Sequence, residues 1–108
     1  MSVKDMFQDL LDKMKEDPSH LGDMNVIYQF NLSGTDVVYQ LKIENKEVDF
    51  VKEEKYDPKI TIEMNEENFK KLVEGNLNPT MAYMSGKLKV RGDLSLALKL
   101  HSLLKKYQ

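Results

Sequence analysis

The segment Gly86-Lys87-Leu88-Lys89-Val90-Arg91-Gly92-Asp93-Leu94-Ser95-Leu96-Ala97-Leu98-Lys99-Leu100-His101-Ser102-Leu103-Leu104-Lys105-Lys106-Tyr107 changes its period part-way along. From Lys87 to Arg91 charged and apolar side chains alternate, with Leu88 and Val90 on one side, which is the pattern of a half-buried strand. A helix follows at once. Asp93 stands where an N-cap accepts from the free amides of the first turn, and Lys105 and Lys106 stand at the negative end of the dipole. The spacing predicts a helix of about fourteen residues, roughly 21 Å long.

On a wheel at about 100° per residue, Ser95, Lys99, Ser102 and Lys106 fall in one narrow polar stripe. Leu96, Ala97, Leu100, Leu103 and Leu104 make one broad apolar face, and Leu94 and Leu98 lie beyond the stripe. A helix with one face on a sheet needs an apolar arc of a little over 100°. The wider arc here calls for apolar neighbours on a second side: another helix, a second subunit or a lipid.

Upstream, Ile60, Ile62 and Met64 alternate with Thr61 and Glu63 as a strand, after a charged loop from Lys52 to Pro58. Asn65 caps a helix with Glu66 and Glu67 in its first turn, Gly75 at its end, and Phe69, Leu72 and Val73 on its buried side. Asn78-Pro79 opens a further short helix carrying Met81, Ala82, Tyr83 and Met84. Earlier still, Val26, Tyr28, Phe30 and Leu32 alternate, Ser33-Gly34-Thr35-Asp36 supplies a turn, and Val37, Tyr39, Leu41 and Ile43 return. Asn45-Lys46 is a weaker turn, after which Val48 and Phe50 continue the meander. The first helix starts near Ser2, buries Val3, Met6, Phe7, Leu10, Leu11 and Met14, and stops at Asp17-Pro18. Strands without strict βαβ alternation, with helices before, between and after them, predict an α+β fold: one mostly antiparallel sheet with helices on one face.

A chain of 108 residues is read as one domain, residues 1–108. It contains no cysteine, so disulfides, thiolate chemistry and sulfur metal sites are ruled out. A net charge of -2 argues against a general nucleic-acid binder. The charge is unevenly placed: residues 1–85 hold ten Lys and 17 Asp plus Glu, whereas 86–108 hold six Lys or Arg and one Asp. That positive end suits an anionic bilayer or an acidic partner, and a solvated basic helix end is the plainer alternative. No apolar run approaches a membrane span and no signal-peptide core opens the chain, so the expectation is a soluble, cytoplasmic protein.

Catalytic chemistry finds no foothold. His20 and His101 lack metal-ligand spacing, and Gly86 and Gly92 flank a strand instead of opening a helix after one, as a phosphate or dinucleotide loop requires. A bend or a close backbone approach explains the two glycines. The pairs Glu53-Glu54 and Glu66-Glu67 lie in wet, charged segments where nothing raises a carboxyl pKa. The reading is non-enzymatic, with no metal and no cofactor.

The run from Gly75-Asn76-Leu77-Asn78-Pro79 through Met81-Ala82-Tyr83-Met84 to Gly86-Lys87-Leu88-Lys89-Val90-Arg91-Gly92-Asp93 resembles the signature of the sterol carrier protein 2 family. That pattern is Gly-x-Leu-x-Pro, a short helix with aromatics, Gly-Lys-Leu-x-Ile-x-Gly and a terminal amphipathic helix. Met84 departs from it by standing where the family often has an aromatic. The resemblance implies a five-stranded sheet, helices over one side and an apolar tunnel between the layers. It implies lipid binding, and possible lipid transfer, of a fatty acid, a fatty acyl-CoA or a sterol-like molecule. Phe30, Ile62, Phe69, Leu72, Met81, Met84, Leu94 and Leu98 are the candidate lining, and Lys99, Lys105 and Lys106 a candidate patch for transient contact with an anionic membrane. The methionines read equally as gap-fillers in an ordinary core.

A magnitude bounds the tunnel. A dry void of about 300 Å³, the lower end of ligand sites, costs around 7 kcal/mol at about 24 cal/mol per Å³. That rivals the stability of a whole domain. A tunnel is therefore expected to be filled, collapsed or breathing. The reading from another class is a protein-interaction or dimerisation module that uses the second apolar side of the last helix, so the chain is expected to be a monomer or a weak dimer.

Overall fold

A computed structural model describes residues 2–108. Helix α1 spans Val3–Glu16. Ser2 caps it by accepting from the Asp5 amide at 3.1 Å, and Val3, Phe7, Leu10, Leu11 and Met14 form its buried stripe. Proline at position 18 turns the chain into a single 3-10 turn, Pro18–Leu21. Strands β1 (Val26–Leu32), β2 (Val38–Glu44) and β3 (Glu47–Val51) make the expected meander. Its second turn is tight, with Asn45 and Lys46 both at positive φ (53° and 62°), the left-handed pair that a two-residue hairpin requires.

Strand β4 is Ile60–Met64, α2 is Glu66–Val73, α3 is Pro79–Met84, β5 is Lys89–Arg91 and α4 is Leu94–Lys106. The sheet order is β3-β2-β1-β4-β5, antiparallel except where β4 lies parallel to β1. The fold is α+β, with a five-stranded, mostly antiparallel sheet and helices on one face, as the period-two runs indicate. Strand β5 is shorter than the alternation from Lys87 suggests. The amides of Lys87 and Leu88 both donate to the Ala82 carbonyl, at 2.8 and 3.2 Å, so these residues are tied back to α3 before the strand begins.

The parallel pairing has a consequence for the sheet's outer face. Register sets Val51, Gln40, Gln29 and Thr61 in one row across four strands. Residues 52–59 cross along that row from β3 to β4, three strand spacings or about 14 Å, well within the roughly 26 Å that eight extended residues reach. Gln40, fully buried, clasps this strap. Its Oε1 accepts from the Lys55 and Tyr56 amides at 2.9 and 2.8 Å, and its Nε2 donates to the Tyr56 carbonyl and to Gln29 Oε1, both at 2.8 Å. A buried carboxamide with every polar site filled costs little and fixes the backbone it holds.

The inner face carries the core. Tyr28, Phe30, Leu41, Ile43, Ile60, Ile62 and Met64 from the strands are buried against Phe7, Leu10, Phe69, Leu72, Leu100 and Leu104 from the helices. Six aromatic rings, Phe7, Tyr28, Phe30, Tyr39, Phe50 and Phe69, form one connected cluster in it. Phe30 and Phe69 lie 4.9 Å apart between centroids, Phe7 stacks on Phe50 at 4.2 Å, and Tyr39 stacks on Phe50 at 5.1 Å. Between the sheet and the helices these side chains meet in one continuous core.

Candidate functional site

Helix α4 is held at three points. Tyr28, rising from the sheet, donates its hydroxyl to the Leu96 carbonyl at 2.7 Å. Burial pushes that hydroxyl's pKa well above the ordinary tyrosine value, so it remains a donor. At the other end Tyr107 donates to the Asp17 carbonyl, at the close of α1, and sets its ring edge-on to His20 at 5.3 Å. Gln108 donates to the carbonyl of Val73, the last residue of α2, at 2.7 Å. Asp93 caps the helix through the Ser95 amide at 2.9 Å, and that bond holds its carboxyl below the usual range.

Between α4 and the chain leaving the 3-10 turn lies an open groove of about 560 Å³. That volume is within the range of about 300 to 1,000 Å³ common to small-molecule sites. Leu21 and Leu103, both buried, form its floor, and Met24 and Leu98 its apolar sides. Lys99, Ser102 and Lys106 from α4 line it together with His20 and Asp23. Three of the four residues of the polar stripe read from the wheel therefore face one groove. Neither Lys99 nor Lys106 forms an ion pair among the described residues. Apolar sides beside two ammonium groups, with the Asp23 carboxylate as the one acid on the rim, can seat an amphiphile with an anionic end.

The candidate lining divides in two. Phe30, Ile62, Phe69 and Leu72 come together in the core, each no more than 2% exposed. Leu94 is half-buried at the start of α4, Leu98 opens onto the groove, and Met81 and Met84 stand on the surface of α3. The lysine patch divides as well: Lys99 and Lys106 share the groove, whereas the Lys105 side chain runs beside Gly75. The part of the site that sequence reasoning missed is its far wall, residues 20–24. A leucine and a methionine bracketing Gly22-Asp23 were the available signal, but a short irregular segment has no period to read.

His101 also belongs to α4. Its Nδ1 is buried with no partner among the described residues, and burial first, then the Lys105 charge, lowers its pKa. The unfolded chain therefore takes up a proton on this ring, near the ordinary value of about 6.5, before the folded one does. Stability is expected to be full above that pH and to fall as pH drops below it. His101→Leu should flatten the slope of melting temperature against pH in this window, and an unchanged slope would assign the loss to other groups. No group of three or more metal-ligating side chains is present among the described residues, and no helix there is long and apolar enough to cross a membrane.

Residues 7–105 match the SCP-2 sterol transfer family. The chain belongs to that family. It is 34% identical over 105 residues to hydroxysteroid dehydrogenase-like protein 2 of Bos taurus, covering 95% of this chain and 25% of that protein. This chain thus spans a quarter of the length of that curated relative. Among solved SCP-2 structures, the apo form of sterol carrier protein 2 from Yarrowia lipolytica superposes with a TM-score of 0.77 at 28% identity, covering 94% of this chain and 88% of that one. A palmitated sterol carrier protein 2-like 2 from Aedes aegypti superposes with a TM-score of 0.67 at 23% identity, covering 96% and 95%. The SCP-2 fold is a lipid-binding one, and this chain shares it from α1 through α4.

Proposed function

We propose that this chain is a non-enzymatic lipid carrier that takes a single-chain lipid anion, a fatty acid or fatty acyl-CoA, at the groove beside α4. The observation that carries the reading is the meeting of apolar Leu21, Met24, Leu98 and Leu103 with Lys99 and Lys106, neither of them in an ion pair among the described residues, around one opening. The acyl chain leaves water at about 25 cal/mol per Å² of apolar surface. The anionic end stays at the lysines. A long chain extends under α4 into the layer now closed by Phe30 and Phe69, and α4 yields by releasing the Tyr28 bond to Leu96. The palmitated relative is a protein with a chain of that kind bound. Cargo then passes to a membrane or to an enzyme.

Delipidated protein titrated with a fluorescent fatty acid tests this. Leu98→Asp should weaken binding by about ten-fold or more, because a carboxylate replaces apolar contact and repels the anionic end. Lys99→Glu with Lys106→Glu should weaken the fatty acid and leave an uncharged long-chain alcohol less affected. Wild-type protein that binds no fatty acid, or variants that bind as well as wild type, would overturn the proposal.

A further inference from the structure

Residues 75–86 carry no charge, in a protein where 31% of residues are charged. Within that segment α3 buries only Pro79 and Ala82. Met81 is 69% exposed, Tyr83 47% and Met84 80%. Isolated exposed apolar residues need no explanation, but three large ones within four positions on a charge-free tip make a patch. The chain then folds back: the amides of Gly86 and Lys87 donate to the carbonyls of Tyr83 and Ala82 at 3.2 and 2.8 Å. Lys87 is thereby held within a turn of the methionines. Lys89 and Arg91 follow at strand spacing on the edge strand β5, all three exposed. Lys89 stands across from Glu63 in the register, and none of the three cations forms an ion pair among the described residues.

We infer that the α3 tip is a membrane-docking wedge: Met81, Tyr83 and Met84 enter the interface of an anionic bilayer while Lys87 and Arg91 meet its headgroups. Two arguments favour lipid over protein. Three side chains of this size expose on the order of 400 Å², about half of the roughly 800 Å² a side that a stable protein interface buries. Flexible methionines and an amphipathic tyrosine suit a fluid interface, and the cations beside them supply the complementary charge. Docking here is independent of cargo: it uses surface residues outside the groove, and it is read without a fatty acid.

The test is partitioning of the delipidated protein onto phosphatidylcholine vesicles with and without phosphatidylserine. Wild type should bind the anionic vesicles and lose affinity as salt rises. Met81→Ser with Met84→Ser should reduce partitioning about ten-fold, leaving fatty-acid binding in solution as in wild type. Lys87→Glu with Arg91→Glu should remove the preference for phosphatidylserine. An environment-sensitive fluorophore on Met84→Cys should shift to the blue on vesicles, which reads insertion directly. No vesicle binding by wild type, no loss in the serine variant, or no spectral shift would overturn the inference. So would a wild-type dimer that the serine substitutions make monomeric, since that outcome assigns the patch to a second copy. Failure of fatty-acid binding alone would leave the wedge standing and sink only the cargo proposal.

Discussion

Phe69→Ala is expected to destabilise the protein by about 3 to 5 kcal/mol, the cost of removing a buried aromatic from a site that cannot collapse. Phe69 is fully buried, and its ring lies against Phe30 at 4.9 Å, Tyr39 at 5.6 Å and Phe7 at 6.1 Å. Sheet and helices hold these partners, so a void remains. The void lies where an acyl chain is proposed to run, and this makes the variant informative beyond its stability. Fatty acid should raise its melting temperature by more than it raises that of wild type, because the guest fills space that is otherwise empty. Denaturant unfolding with and without fatty acid measures both quantities. A stability loss that ligand does not recover would place the acyl chain elsewhere.

Gly92→Ala should cost about 2 to 3 kcal/mol, the upper part of the range for backbone strain. Gly92 has φ 121°, and a Cβ there would meet the Lys59 carbonyl oxygen at 3.0 Å and Ile60 Cα at 3.2 Å. Both are backbone atoms at the start of β4, so neither can swing aside. Gly86 is the control: its φ is 80°, but a Cβ would find open space. Gly86→Ala should cost only the left-handed penalty of about 1 to 2 kcal/mol. Equal losses at the two positions would mean that the close approach to β4 contributes nothing. The two glycines flank the same short segment for different reasons, the first for a bend and the second for a contact.

Where side chains alternate or recur at helical spacing, the elements could be read from the sequence alone. The strands of the meander and the buried stripe of α1 followed from periodicity, and the caps at Asn65 and Asp93 from side-chain chemistry. The failures are of another kind. Met81 and Met84 were as apolar as Phe69, and residue type does not say which apolar side chains a small core has room for. The parallel register of β1 and β4, and with it the clasp by Gln40, depends on which strands become neighbours. A glutamine in a period-two run reads as an outward polar residue until something is laid across it. The groove was half legible: the polar stripe of α4 stood out on the wheel, and the turn that faces it did not.

The clasp at Gln40 makes the molecule mechanically one-sided. Four hydrogen bonds lash residues 55–56 and Gln29 to the centre of β2, so the outer surface of the sheet behaves as a stiff plate. Helix α4, by contrast, packs on the core through apolar side chains and has only a few polar ties to the rest of the fold, near its ends. Any swelling needed to accommodate a guest must then be absorbed on the helical side, and cargoes of different girth would register as different tilts of one lid over an unchanging base.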